Sequence, residues 1–240
     1  MSQLVVALPK SGKSSAHRVG GYLGALFEQA GLVKTQSVAR RDDYTMSDVS
    51  GSLTFQTVEA PSLGCARYLI DGVADVAIVG MNRLAEIAAE QDNAAIDDIF
   101  FAPLGIAETD CSVVLAYPNG KAQGLQACDG GIVVTSHFNL TAQYMNRMNV
   151  KPAKIIAFDG ATETACRLYQ ADALVDITQT GSSLVANDLT RGEDIMRSTA
   201  VMAWRQSNNT AKRASISALA ERIVPNVQTG QSLRKMMRGL

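Results

Sequence analysis

Residues 172–184, Asp-Ala-Leu-Val-Asp-Ile-Thr-Gln-Thr-Gly-Ser-Ser-Leu, combine carboxylates, hydroxyls and a glycine at a spacing that suits phosphate chemistry. Gly181 lets the backbone approach an anion closely, and the hydroxyls of Thr178, Thr180, Ser182 and Ser183 add donors around it. Where such a turn opens a helix, the first N–H groups lack intrahelical acceptors and point outward. Asp172 and Asp176 stand ready to bond sugar hydroxyls or a metal that arrives with a diphosphate. Together these residue types describe a sugar-phosphate site. The same hydroxyls also suit a plain helix cap, an alternative that the stretch alone leaves open.

A second candidate loop lies near the start. Residues 7–14, Ala-Leu-Pro-Lys-Ser-Gly-Lys-Ser, follow the relaxed P-loop pattern with alanine in place of its first glycine. The tight Walker turn needs that glycine, and Pro9 removes an N–H that a phosphate cradle would use, so the pattern weighs against a nucleotide hydrolase. Metal chemistry of the zinc kind is not indicated. Cys65, Cys111, Cys128 and Cys166 are widely spaced, and His17 and His137 are isolated. Burial habits put Cys111 in the core and His137 on the surface, with Arg67 and Arg83 solvated on helices.

The elements that must position these residues follow from periodicity. Residues 4–8, 75–80, 132–135, 154–158 and 173–177 are short apolar runs that read as buried strands, each followed by a helical segment. Residues 52–58 alternate as a strand, and 100–106 and 111–117 are two longer ones. Residues 194–205 read as a single strand crossing back to the first lobe. Ile216, Leu219, Ala220 and Ile223 mark an amphipathic helix ended at Pro225, and Leu233, Met236, Met237 and Leu240 mark a shorter basic one. Strand-to-helix alternation predicts an α/β protein in which ligands lie outside the C-terminal ends of the strands.

The chain of 240 residues is 47% hydrophobic and long enough for one large domain or two small ones. Its 22 basic and 23 acidic residues give a net charge of −1, which excludes nucleic acid or an anionic membrane surface as an electrostatically driven partner. No apolar run approaches the ~20 residues of a membrane span. The start reads directly into a strand without a signal peptide, so a cytoplasmic location is expected.

The pieces, taken in order, resemble the catalytic subunit of the ATP phosphoribosyltransferase family, the first enzyme of histidine biosynthesis. The resemblance runs over roughly residues 3–205. It is carried by Ala7-Leu8-Pro9-Lys10-Ser11-Gly12, by Asp71-Gly72 with Asp75 and Gly80, by Cys111, by Thr135-Ser136-His137-Phe138-Asn139-Leu140, by Gly160-Ala161-Thr162-Glu163, and most specifically by residues 172–184. It implies a two-lobed periplasmic-binding-protein-like (type II) fold, each lobe a mixed, mostly parallel sheet flanked by helices. The expected first lobe is 1–104 plus 190–240, the second 105–189, with the active site in the cleft. The implied reaction joins N1 of ATP to C1 of phosphoribosyl diphosphate and releases diphosphate, with Mg2+ present. By the resemblance Glu163, Asp176 and Lys13 are catalytic, and Asp172, Asp176, Thr178, Thr180, Gly181, Ser182 and Ser183 bind phosphoribosyl diphosphate. Lys10, Ser11, Gly12, Lys13, Gly80, Thr135 and Ser136 bind the nucleotide, and no residue is assigned as a metal ligand.

This chain departs from the family where positive charge is expected. Lys13 replaces an arginine, Val58-Glu59-Ala60-Pro61 stands where relatives are arginine-rich, and Ser112 follows Cys111 in place of a basic residue. Arg40, Arg41, Arg67 or Arg83 would have to compensate. Two other readings therefore stay open: a divergent paralogue using another purine or azole acceptor, and a non-catalytic two-lobed ligand-binding subunit. Only about 35 residues follow residue 205, as in the family's short form. That form implies a regulatory partner resembling histidyl-tRNA synthetase. The apolar tail residues motivate a homo-oligomer, although packing on the chain's own first lobe is their simpler use.

Overall fold

The computed structural model of the chain describes residues 3–10, 19–37, 43–90, 94–226 and 230–240. It divides into two compact units, Met1–Thr109 with Thr199–Gly239, and Asp110–Ser198. The chain opens with β1 (Leu4–Pro9), α1 (Val19–Gln29), β2 (Leu32–Ser37), β3 (Asp43–Asp48), β4 (Thr54–Ala60), α2 (Ser62–Ile70), β5 (Val76–Gly80), α3 (Met81–Ala89) and β6 (Ile99–Pro103). The second unit follows, with β7 (Cys111–Pro118), β8 (Ile132–Thr135), α4 (Phe138–Arg147), β9 (Lys154–Ala157), α5 (Thr162–Leu168), β10 (Ala173–Thr178), α6 (Ser182–Ala186) and β11 (Leu189–Ser198). The chain then returns to the first unit as β12 (Ala200–Arg205), α7 (Thr210–Ile223), β13 (Gln231–Ser232) and α8 (Leu233–Gly239).

The first unit's sheet runs β13-β6-β12-β5-β1-β4-β3-β2, and the second's runs β11-β7-β10-β8-β9. Both sheets are mixed. The expectation that they are mostly parallel needs correction. Among the described residues, parallel pairing is limited to β1 with β4 and β5, and to β8 with β9 and β10. The returning strand β12 and the β2–β3 hairpin pair antiparallel, as does β7 with both β10 and β11. The expected single strand over residues 194–205 is two strands in different sheets: β11 pairs β7, and β12 lies between β5 and β6. Thr199 separates them, so one long β-rich run contributes to both cores.

In the first unit, apolar residues of β1, β4 and β5 meet Leu23 and Phe27 of α1 and Ile216, Leu219 and Ile223 of α7 in one core. The helix α7 starts where the Asn209 side chain accepts from the N–H groups of Ala211 and Lys212 at 2.9 and 3.1 Å, satisfying two donors of the first turn. The tail folds inward: Leu233 and Met237 are buried as α8 packs on α3 and β6. The two crossings are tied within the first unit. Thr109 accepts from the N–H of Ala200 at 2.9 Å, and its hydroxyl lies 3.3 Å from that of Thr199.

In the second unit a smaller core joins Val114, Ala116, Val134 and Leu174 of the sheet to Ala165 and Cys166 of α5 and Leu184 of α6. One sheet face therefore lies under α5 and α6. By alternation along the strand, that face also carries Asp176 and Thr178.

Candidate functional site

Three parallel strands, β9, β8 and β10, end along one edge of the second unit's sheet, and the loops leaving them bring the polar residues together. Asp176, two residues from the end of β10, is gripped on three sides. Ser136, just past β8, donates to its Oδ1 at 2.7 Å, the N–H of Ile177 donates to the same oxygen at 2.7 Å, and the Thr162 hydroxyl opening α5 donates to Oδ2. A carboxylate has about four acceptor positions, so Oδ2 keeps one for a ligand.

The cluster continues inward. Ser136 gives its only hydroxyl proton to Asp176, so its 2.7 Å contact with Nδ1 of His137 requires the imidazole to donate. His137 is fully buried, which corrects the surface placement expected from burial habits. The cause is local: its N–H donates to Thr135 at 2.8 Å, and the Thr141 hydroxyl donates to its carbonyl at 2.6 Å, folding the turn under α4. Thr135 is itself fully buried and 2.8 Å from the Thr141 hydroxyl. Its side chain shapes the turn, whereas Ser136 reaches the site.

The turn after β10 has the conformation its sequence demands. Gly181 adopts φ 81°, and a Cβ there would meet no atom within 4 Å, so backbone geometry alone calls for glycine. The buried Thr178 hydroxyl accepts from the Gly181 N–H at 2.9 Å and braces the turn. Thr180 donates to Ser182 at 3.0 Å, and Thr180, Ser182 and Ser183 are exposed. Before α5, Gly160 and Ala161 are both left-handed, at φ 76° and 45°, and set Thr162 and Glu163 in the first helical turn. Glu163 is half-buried, and among the described residues no protein donor meets its carboxylate.

Asp172 does not belong to this cluster, a correction to its expected place. It sits before the first residue of β10, about 13 Å along the strand from Asp176. There it accepts from the N–H of Ile132 at 2.9 Å and from Lys121 at 3.0 Å. Both bonds, the first-named more strongly, hold its carboxyl below the usual range. Gly131 is required beside it, since a Cβ would lie 2.9 Å from Asp172 Oδ2 and 2.7 Å from the Ala127 carbonyl.

Of the residues expected on the nucleotide, Lys10 and Gly80 belong to the first unit and Thr135 and Ser136 to the second. Ser11, Gly12 and Lys13 lie outside the described residues, as do Arg40 and Arg41. Gly80 ends β5, where a Cβ would fall 2.7 Å from the Asn82 side-chain oxygen. Arg67 pairs with Glu90. A cavity of about 490 Å³ in the first unit is lined by Leu8, Phe27, Lys34, Tyr44, Met46 and Glu59, among others. Lys34 and Glu59 both meet Tyr44: Lys34 lies 4.0 Å over its ring, and burial together with the bonded Glu59 pushes its hydroxyl up to about 12. Sequence reasoning missed Thr162, because nothing in spacing announces a bond across 14 residues.

Comparison with known proteins identifies the family and the fold. A family model described as ATP phosphoribosyltransferase (HisG) matches residues 64–225, more than half of the chain. The ATP phosphoribosyltransferase of Halorubrum lacusprofundi is 35% identical over 178 residues, 72% of this chain. The match spans only 58% of that relative's length. Among solved structures, the ATP phosphoribosyl transferase (HisG:HisZ) complex from Thermotoga maritima matches with a TM-score of 0.69 at 20% identity, covering 94% of this chain and 98% of the other. The alkanesulfonate-binding protein SsuA from Xanthomonas axonopodis pv. citri matches with 0.53 at 13% identity, covering 93% and 72%. At such identities these likenesses speak for the fold, an α/β architecture of the periplasmic-binding-protein type II kind.

Proposed function

The chain belongs to the ATP phosphoribosyltransferase family, and from that premise we propose that it joins N1 of ATP to C1 of phosphoribosyl diphosphate, releasing diphosphate in the first step of histidine biosynthesis. The observation that carries the reading is the single sheet edge where Asp176, its Ser136 and Thr162 donors and the Gly181 turn meet.

In this reading the 178–183 turn holds the 5-phosphate of the donor through N–H groups and the Thr180, Ser182 and Ser183 hydroxyls. The remaining acceptor position of Asp176 takes a ribose hydroxyl. Glu163 stands beside the anomeric carbon, where positive charge develops as diphosphate leaves, and among the described residues no protein donor meets its carboxylate. Lys10 and Lys13 supply charge to the nucleotide side. No side-chain nucleophile is needed, since N1 of the acceptor attacks directly. Mg2+ would enter as the complex of the diphosphate, whose oxygens suit this hard cation.

A cytoplasmic location and a regulatory partner subunit are part of the proposal, the partner supported by the match to a HisG:HisZ complex. Among the described residues no helix is long and apolar enough to cross a membrane. A homo-oligomer is also proposed, measurable by light scattering, although the inward packing of Leu233 and Met237 removes the motive drawn from the tail.

A second reading has its own observation. Among the described residues, Glu28 and Glu59 line the first unit's cavity together with Lys34, which lies over a tyrosine ring, an arrangement that favours a paralogue with a less anionic acceptor. Diphosphate release from phosphoribosyl diphosphate, assayed against ATP and a panel of purine and azole acceptors, decides between the readings. Release with ATP alone supports the first, and release only with another acceptor supports the second. No release with any acceptor removes the transferase reading.

A further inference from the structure

The 178–183 turn offers hydroxyls and N–H groups but no cation, and the neighbouring Ser112 is neutral. Most positive groups of the second unit are committed elsewhere. Lys121 is bonded to the carbonyls of Gln170 and Ala171 and to Asp172, at the opposite edge of the sheet. Arg191 pairs with Asp194 at 2.7 Å, and Arg147 lies over the Tyr144 ring. Lys154 opens β9 and Arg167 closes α5, again away from the turn.

Arg197 is different. On β11 it lies directly opposite Ser112 of β7, and Ser112 lies directly opposite Thr178 of β10. Directly paired residues share a sheet face, so Arg197, Ser112 and Thr178 form one row at the edge where β10 gives way to the turn. The same face is covered by α6, whose Leu184 packs with Val114, Leu174 and Leu189, so the turn and the row lie on one side of the sheet. Two strand spacings, about 10 Å, separate the backbones of Arg197 and Thr178. Arg197 is exposed, and among the described residues its guanidinium has no hydrogen bond or ion pair. Its anionic neighbour Asp194 is already bonded to Arg191 and to the Ser112 hydroxyl at 3.2 Å.

We propose that Arg197 is a further donor-binding residue, closing its guanidinium on the 5-phosphate held by the 178–183 turn and supplying from β11 the charge that Ser112 does not. The proposal rests on the assignment of that turn to the 5-phosphate. A phosphate oxygen facing away from the turn is where a guanidinium adds a charge-assisted, two-point contact.

Ribose 5-phosphate, which carries this phosphate and no diphosphate, tests the assignment by calorimetric titration of the full chain. Arg197→Gln should weaken its binding at least tenfold with an unchanged Tm, and Arg197→Lys should recover part of the loss. Added salt should weaken binding to the unmodified chain more steeply than to Arg197→Gln. Unchanged affinity in Arg197→Gln overturns the proposal, as does a loss confined to phosphoribosyl diphosphate, which would move Arg197 to the leaving group. Gly181→Val separates the two layers of inference. If it abolishes binding while Arg197→Gln does not, only Arg197 is misassigned; if it leaves ribose 5-phosphate bound, the turn itself is misread.

Discussion

Asp172, just before β10, and Asp176, within it, are the same chemical group four residues apart, yet their surroundings give them unrelated work. Asp172 holds the entrance of β10 to the start of β8 and to Lys121, with its oxygens turned to the frame. Asp176 stands where three parallel strands end, and its partners are hydroxyls from two other loops that leave it an open acceptor position. The difference teaches that the direction of a strand, more than the identity of a residue, decides whether a carboxylate meets ligand or architecture.

The comparison breaks most directly at Asp176. Asp176→Asn should reduce turnover at least a hundredfold with a Tm close to that of the unmodified chain, because an amide loses the charge facing the sugar and mispairs with its two hydroxyl donors. If turnover survives and Asp172→Asn abolishes it, the two roles are reversed. Gly181→Val should weaken phosphoribosyl diphosphate binding by about a hundredfold, since a β-branched residue is strained at φ 81° and the turn would reorganise. Glu163→Gln should lower turnover by about tenfold and leave the donor's dissociation constant nearly unchanged, the mark of a group acting on the transition state; equal losses in both would make Glu163 a binding residue.

The smallest effect belongs to Asp172. Asp172→Asn should cost about 1 kcal/mol of stability in urea titrations and leave donor affinity alone. Its pH dependence has a definite sign. The folded carboxyl is held below its ordinary value by the Ile132 N–H and Lys121, so its contribution is present above the unfolded pKa of about 3.9 and fades as pH falls through the folded value. The stability gap between the unmodified chain and Asp172→Asn should therefore be steady near neutrality and shrink below about pH 4. A gap independent of pH would mean that charge plays no part in the anchor.

What the sequence discloses of this site follows contiguity. The turn around Gly181 is legible because its glycine, hydroxyls and preceding strand are neighbours in the chain, and the left-handed φ agrees. Asp172 is misread from sequence because proximity to the motif outweighs its place at the strand's entrance. The bonds of Ser136 and Thr162 to Asp176 span 40 and 14 residues and depend on which strands lie side by side. Burial of His137 likewise needs the turn formed by Thr135 and Thr141. Strands β2 and β3 escape notice because Lys-Thr-Gln-Ser and Asp-Tyr-Thr-Met-Ser-Asp show little apolar pattern, being held by pairing to each other and to β4. The split of residues 194–205 between two sheets leaves no mark beyond an ordinary Thr199.

That split, with the Thr109–Ala200 tie, bears on the order in which the molecule forms. The second unit is one unbroken stretch, Asp110–Ser198, whereas the first needs β12, which lies between β5 and β6. As the chain leaves a ribosome, the inserted stretch is complete before β12 exists, so the part that begins first is finished last. Joining Thr109 to Ala200 early closes a long loop, and prior compaction of the insert brings those ends together at a smaller entropic penalty. Pulsed hydrogen exchange during refolding should accordingly protect amides of β7, β8 and β10 before those of β12, and simultaneous protection would show that the two units assemble as one nucleus.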